Sequence, residues 1–339
     1  MDSLTQLVLG ATIGEATLGR VAHRRGALYG AVCGTLPDLD VAWPYADAVA
    51  AFTWHRTWSH SLLVLSLLAL ALFWLIRRFD ARATGPPGLW LVAVWLALVT
   101  HPLLDALTVY GTQLLLPFSD YPVSGSVLFI IDPLYTLPLA GCLIAALLSG
   151  SGERGRTLAR AGLLVSCAYL ALALAAKVTI ERDVRASLAE RGVTPAAVLT
   201  TPTPFNIVLW RAVVMFDDRY EVSYWRVVGG TDEPPLNSYP NGHRSLAPVT
   251  DAAAVERLRW FTHGFFNVRE IDGRMVMTDL RMGIEHAYIF SFAVARHDGA
   301  GWRATPPAQL PPPDVRTGAV ERIVDAWNQA TGSPGDTVQ

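Results

Sequence analysis

Two potential metal ligands, His101 and Asp105, lie four residues apart in the sequence. On an α-helix this spacing puts both side chains on one face. An imidazole nitrogen and a carboxylate oxygen that point the same way can hold one divalent metal ion. The competing interpretation is a buried pair that only fixes the packing of a helical bundle. His101 and Asp105 are therefore predicted metal ligands, with a structural pair as the alternative.

Two carboxylates, Asp38 and Asp40, follow Pro37 at a spacing of two. In an extended or turn segment this spacing lets one carboxylate bind a metal while the other bridges or orients a histidine. Either residue could instead cap a helix end. We predict both as metal ligands, and Asp40 also as a catalytic carboxylate that activates water.

A third motif contains His55, Arg56, Ser59 and His60. The histidines are five residues apart, so both face one site only if a helix starts between them. His60 is a predicted metal ligand, with a hydrogen-bonded interfacial histidine as the alternative, and His55 is an additional ligand or catalytic residue. Arg56 is the candidate group for binding an anion. The chain has no Gly-x-Ser-x-Gly motif, so Ser59 is not expected to act as a covalent nucleophile.

Two further acidic residues stand in or beside apolar segments. Asp132 precedes Pro133 at the start of one segment and is a candidate additional ligand. Glu15 lies within another, where it either reaches a metal or pairs with an arginine such as Arg56. Ionisable groups this close to hydrocarbon are costly and are usually paired or functional.

Apolar segments position these motifs. Four of them are about long enough to cross most of a bilayer: Leu62–Ile76, Leu89–Leu107, Pro133–Leu148 and Ala161–Ala176. Two shorter, glycine-rich segments precede them, Leu4–Leu18 and Gly26–Leu36. They predict a tightly packed or partly spanning helical hairpin. Residues 1–180 are thus expected to form an α-helical membrane bundle of about six helices. Because successive antiparallel helices alternate their ends, all the motifs fall on one side of the membrane.

The composition agrees with a membrane protein. Of 339 residues, 52% are hydrophobic and only 17% are charged, with a mean hydropathy of +0.32. These values exclude an ordinary soluble domain and a disordered chain. The 27 basic and 29 acidic residues give a net charge of −2. No global positive field exists to hold nucleic acid, which is not an expected partner.

Downstream of residue 180 the sequence predicts a mostly-β soluble domain over residues 181–310. Aromatic and β-branched residues mark five expected strands: Val208–Phe216, Tyr220–Val228, Trp260–Val268, Arg274–Leu280 and Ala287–Ala295. Residues 311–339 form a proline-rich segment and tail, with a short helix expected at Val320–Ala330.

Arginines suggest an orientation. The connections after the first, third and fifth predicted helices hold nine arginines, whereas the opposite connections hold only Arg56. By the positive-inside rule the arginine-rich connections are cytoplasmic. Both termini and the β-rich domain are then expected outside the cytoplasm, with the chain in the inner (plasma) membrane.

Taken together, these motifs resemble the YdjM-type membrane-bound metal-dependent hydrolases of bacteria and archaea. The similarity covers about residues 1–180 and is carried by five stretches: Met1–Gln6, Pro37–Asp40, His55–Ser61, His101–Gln113 and Phe129–Pro133. It implies a polytopic membrane protein with a divalent-metal site and a helical core distantly similar to that of zinc-dependent phospholipases C. Many members have a histidine where this chain has Gln6, so Gln6 or Glu15 is the candidate replacement.

The prediction is therefore a metal-dependent hydrolase that uses a metal-activated water on a lipid-like ester or phosphoester. The expected cofactor is a divalent metal, with zinc favoured over manganese or magnesium, and the bilayer is the expected partner. One alternative is a non-enzymatic membrane protein in which a metal or ion-pair cluster locks the bundle. Another is an ion-coupled transporter, which is less favoured because the sequence shows no inverted repeat.

Overall fold

A computed structural model describes residues 1–150, 152–229, 234–285, 287–312 and 327–328. The chain divides into two compact units. The helical unit comprises Met1–Trp43, Arg56–Leu174 and Pro204–Asn206. The β-rich unit comprises Pro44–His55, Ala175–Thr203 and Ile207–Gln339. The helix predicted at Val320–Ala330 and most of the tail at 311–339 lie outside the described residues.

Eight α-helices are present in the described residues: α1 Ser3–Leu18, α2 Arg24–Thr35, α3 Ala48–Trp54, α4 Leu62–Phe79, α5 Pro87–Ala106, α6 Pro133–Leu148, α7 Glu153–Glu190 and α8 Ala253–Phe261. Short 3-10 helices at Leu36–Ala42 and Trp58–His60 connect the helices of the helical unit. Asp2, Ser61 and Asp132 cap α1, α4 and α6, each with a side-chain oxygen that accepts a backbone N–H at the helix start.

Within the described residues, three helices are long and apolar enough to cross a membrane, namely α4, α5 and α7. The apolar helix α6 has only 16 residues. The expected count of about six spanning helices is therefore not supported. Most of α5 is buried, whereas α4 leaves most of its apolar surface exposed, as expected for a helix that faces lipid.

Helices α1 and α2 form a tightly packed hairpin. A Cβ added to Gly10 would lie 2.2 Å from the carbonyl oxygen of Gly30, and one added to Gly14 would lie 2.0 Å from that of Gly26. Only glycine permits so close an approach of two backbones. This contact fixes α2, and so the turn that follows it, against α1.

Helix α7 extends well beyond the predicted span at Ala161–Ala176 and continues to Glu190. Its apolar repeat persists at Ile180, Val184 and Leu188, which are buried in a cluster with Trp210 and other residues of the β-rich unit. The composition change near residue 180 therefore falls within a continuous helix.

The predicted C-terminal β-sheet domain is confirmed. Two antiparallel sheets contain four strands each. The first sheet has the order β1 Ala197–Pro202, β2 Leu209–Met215, β3 Arg219–Arg226 and β4 Asn237–Pro240. The second has the order β10 Trp302–Gln309, β9 Ser291–His297, β6 Arg274–Asp279 and β5 Phe266–Ile271. A small hairpin pairs β7 Gly283–Ile284 with β8 Ala287–Tyr288.

One predicted strand, Trp260–Val268, is wrong over its first half. Its first residues end α8, and β5 begins only at Phe266. The three buried residues of α8, Val255, Leu258 and Phe261, recur every third position. That spacing is a helical period, which the aromatic content of the segment obscured.

Candidate metal centre

Four side chains of the helical unit converge on one point. They are Asp38, His60, His101 and Asp105, and one ligand atom from each lies within 4.8 Å of the others. Asp38 and His60 come from the two 3-10 helices, and His101 and Asp105 come from the last part of α5. The i, i+4 spacing predicted to align His101 with Asp105 thus brings both side chains to the same point.

The nitrogen and oxygen atoms of this cluster are closely spaced. His60 Nε2 lies 3.1 Å from His101 Nε2 and 3.2 Å from Asp105 Oδ2. Asp38 Oδ1 lies 3.3 Å from His101 Nε2 and 3.7 Å from His60 Nε2. His60, His101 and Asp105 are fully buried, and the Asp38 side chain is 17% exposed. Asp38 is therefore the member of the group that solvent reaches.

Each histidine donates a hydrogen bond from Nδ1, and this fixes Nε2 as the nitrogen that faces the centre. His101 Nδ1 lies 2.6 Å from the carbonyl oxygen of Gly34, which can only accept, so Nδ1 carries the proton. Ser59 Oγ donates to Asp40 at 2.6 Å and lies 2.9 Å from His60 Nδ1, so His60 donates from Nδ1. In the neutral form of both rings, Nε2 is therefore unprotonated and directs its lone pair at the cluster.

The cluster is therefore made of acceptors. Two imidazole lone pairs and two carboxylates meet with no donor among them when both rings are neutral. Asp105 Oδ2 is buried and accepts no hydrogen bond from the described residues. When the two rings are protonated instead, hydrogen bonds from His101 and His60 hold the pKa of the Asp38 carboxyl below its usual range, although burial by itself raises it. A divalent cation fits this donor set, because N and O ligands of these types are those of zinc and manganese sites.

Arg56 supports Asp105. Its Nε lies 3.3 Å from Asp105 Oδ2, and its guanidinium lies 4.8 Å above the ring of Tyr110. Arg56 is only 5% exposed and has a φ of 66°, a left-handed conformation that is unusual for a non-glycine residue. The arginine predicted to bind an anion is thus buried beside a cluster carboxylate, where it offsets negative charge.

Asp40 lies beside the four converging residues. Its Oδ2 accepts from the backbone N–H of Arg56 at 3.0 Å and from Ser59 Oγ at 2.6 Å, and it lies 3.8 Å from His60 Nδ1. Asp40 therefore orients His60 through Ser59, which is the bridging role that the two-residue spacing also allowed.

Gln6 and the chain start brace Asp105 from its other side. Gln6 Nε2 donates to Asp105 Oδ1 at 3.1 Å and to the carbonyl oxygen of His101 at 3.1 Å. The α-amino group of Met1 also contacts Asp105 Oδ1. An amide donor at this position stabilises a carboxylate ligand but does not replace a metal-binding histidine.

Three other predicted site residues lie elsewhere. Asp132 caps α6 through Oδ1 and accepts from the hydroxyl of Tyr169 through Oδ2 at 2.8 Å. Glu15 is buried near the other end of α1, where its Oε1 lies 3.1 Å from the position of a Cβ on Gly155. His55 ends α3 and belongs to the β-rich unit. None of these three is in the group of four.

Sequence reasoning missed the backbone carbonyl of Gly34 and the side chain of Tyr110. Gly34 orients His101, and Tyr110 lies under Arg56. A backbone acceptor leaves no trace in residue type. Tyr110 was part of the stretch that carried the family resemblance, and that was the only available signal for it.

Comparison with protein families identifies the class to which this site belongs. The profile of the YdjM inner membrane protein family matches residues 1–180, more than half of the chain. The chain belongs to this family of membrane proteins. The search of curated proteins finds no match. No solved structure matches either.

Proposed function

We propose that this protein is a membrane-bound metal-dependent hydrolase whose divalent cation is held by Asp38, His60, His101 and Asp105. The observation that carries the proposal is the convergence of four acceptor groups whose ligand atoms lie within 4.8 Å of one another. Buried groups that share one sign of partial charge repel each other in a medium of low dielectric. A bound cation removes this repulsion.

Each residue of the centre has a distinct task in this proposal. Asp38, the exposed member, lines the approach to the centre, while Asp105 and the histidines close its buried side. Ser59 and Asp40 hold His60 in the tautomer that presents Nε2, and Arg56 and Gln6 hold Asp105. When bound, a divalent cation supplies Lewis acidity and lowers the pKa of water at the site. Zinc is the favoured ion, and manganese and magnesium are the alternatives.

A lipid-like ester or phosphoester is the proposed substrate class. The segment that carries Asp38 also carries Leu39, Val41 and Trp43, which are 64%, 74% and 69% exposed. His60 lies two residues before α4 begins. An apolar edge at the end of a candidate membrane span suits a site that takes molecules from the bilayer surface.

The proposed orientation places this end of the helices outside the cytoplasm, in accordance with the arginine distribution. Cysteine labelling in intact cells tests it. A cysteine replacing Asp47 should react with an impermeant reagent, and one replacing Gly152 should react only after the membrane is permeabilised. Equal protection of the two positions would contradict this topology.

The metal site is tested by Asp105→Asn and His101→Ala in the detergent-purified protein. We expect both variants to lose bound zinc or manganese in elemental analysis while retaining the fold, because each removes a ligand. Asp132→Asn is the matched control. It changes a buried aspartate of the same unit that has only hydrogen-bond donors as partners, so it should lower the melting temperature and leave the metal content unchanged.

Retention of metal in Asp105→Asn and His101→Ala, together with a large loss of stability, would favour the bundle-locking alternative. Hydrolysis is tested separately with phospholipid vesicles, p-nitrophenyl esters and p-nitrophenyl phosphodiesters. The wild-type protein should cleave at least one class, and Asp105→Asn should not. A protein that binds metal stoichiometrically but cleaves none of these would have a closed, structural site.

A further inference from the structure

The chain leaves the helical unit between two of the proposed metal ligands. Asp38 and His60 both belong to the helical unit, but Pro44–His55, which connects their segments, belongs to the β-rich unit. This connection contains α3. The covalent path from one ligand to the next therefore passes through the core of a different unit.

The β-rich unit holds this connection by its aromatic core. Phe52 is 4% exposed and packs against three phenylalanine rings, with centroid distances of 4.9 Å to Phe261, 4.5 Å to Phe290 and 5.1 Å to Phe292. A phenylalanine buried in such a cluster anchors the chain on either side of it.

Arg257 of α8 also holds the same connection through hydrogen bonds. Its Nε donates to Thr53 Oγ1 at 3.0 Å, and its Nη2 donates to the carbonyl oxygen of Thr53 at 3.2 Å. The guanidinium also lies 5.0 Å above the ring of Trp54. Arg257 thus binds the last turn of α3, only a few residues before Arg56.

The helical unit joins the two ends of the connection at Asp40. One carboxylate oxygen of Asp40 accepts from the backbone N–H of Arg56 and from the hydroxyl of Ser59. A shift of the connection along the chain direction would move Arg56, which follows it directly. Because Asp40 binds both Arg56 and Ser59, the same shift would also displace the segments that carry Asp38 and His60. Arg56 in turn contacts Asp105.

We infer that Phe52 and Arg257 are positioning residues for the metal centre, so that the β-rich unit regulates metal affinity through the connection Pro44–His55. This inference rests on the proposed metal site. Neither residue is a proposed ligand. A molecule that loosens or tightens the packing around α3 would weaken or strengthen metal binding without contacting the metal.

The test compares Arg257→Ala with Arg259→Ala in the full-length protein in detergent. Arg259 is on the same helix, but its guanidinium donates to Thr250 instead of α3. We expect Arg257→Ala to bind Zn²⁺ or Mn²⁺ severalfold more weakly. Loss of a group that contacts a ligand directly typically costs about 10–100-fold, and Arg257 acts on the ligands only through the backbone of the connection. Arg259→Ala should keep the wild-type affinity. Arg257→Lys, which can still donate to the Thr53 carbonyl, should restore part of it.

Hydrogen–deuterium exchange of the metal-free proteins gives a second readout. Peptides covering Leu36–Trp43 and Arg56–Ser61 should exchange faster in Arg257→Ala than in Arg259→Ala, while peptides from α4 and α5 remain unchanged. If Arg257→Ala does not fold, Phe52→Leu, which keeps an apolar side chain, replaces it, and the same peptides should exchange faster.

Wild-type affinity and exchange in both Arg257→Ala and Phe52→Leu would overturn the inference, and so would faster exchange spread evenly over the whole chain. If the wild-type protein binds no divalent metal, the proposed function fails. The exchange measurement still decides whether the connection positions the two segments.

Discussion

Both units of this protein bury charged side chains, but the partners of these side chains differ. In the helical unit, Arg56 and Gln6 contact Asp105. The two carboxylates and two imidazoles of Asp38, His60, His101 and Asp105 also meet one another there. In the described part of the β-rich unit, buried carboxylates are paired with arginines. Asp279 and Arg281 form a pair in which Arg281 Nη2 donates to Asp279 Oδ2 at 2.8 Å, with both side chains 1% exposed.

A second network in the β-rich unit follows the same rule. Arg211 donates to the carbonyl oxygen of Leu280 at 2.7 Å and also to the hydroxyl of Tyr288. Tyr288 and Tyr220 donate to Glu285 at 2.7 and 2.8 Å. Most donors and acceptors of this network are paired with protein atoms, although Arg211 Nε donates to none of the described residues. Burial of charge alone therefore does not identify a binding site, whereas a convergence of acceptor groups is the arrangement that a cation site requires.

The largest effect that tests this comparison is expected for Asp279→Ala. The substitution leaves the guanidinium of Arg281 buried without its carboxylate, which costs about 3–5 kcal/mol of unfolding free energy. Denaturant unfolding of the β-rich unit should detect this loss. The metal content measured at saturating metal should not change, because no proposed ligand is removed. In Asp218→Ala, which removes a carboxylate that is 66% exposed, the loss should be about 1 kcal/mol or less. A lower metal content in folded Asp279→Ala at saturating metal would break the comparison.

Ser59→Ala should have an intermediate effect, and on metal affinity rather than on stability. The hydroxyl is the link between Asp40 and His60 Nδ1, and its removal frees the imidazole to adopt the wrong tautomer. We expect roughly tenfold weaker metal binding, or about 1.4 kcal/mol, measured by competition with a chelating dye.

Ser66→Ala is the control for Ser59→Ala, because Ser66 is hydrogen-bonded within the same unit but to Leu62 and Trp95. It should bind metal as the wild type does. If Ser59→Ala also binds metal with wild-type affinity, Ser59 does not orient His60.

The smallest effect concerns a histidine of the β-rich unit. Burial lowers the pKa of His243, and although its bond to the Phe266 carbonyl acts in the opposite direction, nearby Arg259 lowers this pKa further. The folded state therefore favours the neutral ring. As the pH falls below the ordinary imidazole pKa of about 6.5, the unfolded state takes up the proton more readily, and stability is lost.

We accordingly expect the β-rich unit to melt at a lower temperature at pH 5 than at pH 7.5. His243→Gln keeps a donor for the Phe266 carbonyl and should reduce this difference, whereas His297→Gln at an exposed position should not. A pH dependence that is unchanged in His243→Gln would assign it to other groups. This partly buried histidine, whose ring donates to one carbonyl, contrasts with His60 and His101, which face two carboxylates.

The sequence by itself determined the helical N-terminal half and the C-terminal β-sheet domain, and its candidate ligands included the four residues that gather at the candidate centre. Long apolar segments have few alternatives to helix, and the i, i+4 spacing of His101 and Asp105 acts within one element. The alternation of helix ends predicted that Asp38 and His60 lie on the same side, and the structure brings the two side chains together. These features follow from local or topological constraints, which can be read from residue type and spacing.

Only the tertiary structure decided which polar side chains face one another. Asp40 and Asp38 are equivalent by spacing, yet Asp38 joins the cluster and Asp40 binds Ser59 and Arg56. Likewise, only the fold places Pro44–His55 in the β-rich unit. These arrangements depend on contacts between residues far apart in the chain, so no local sequence pattern predicts them.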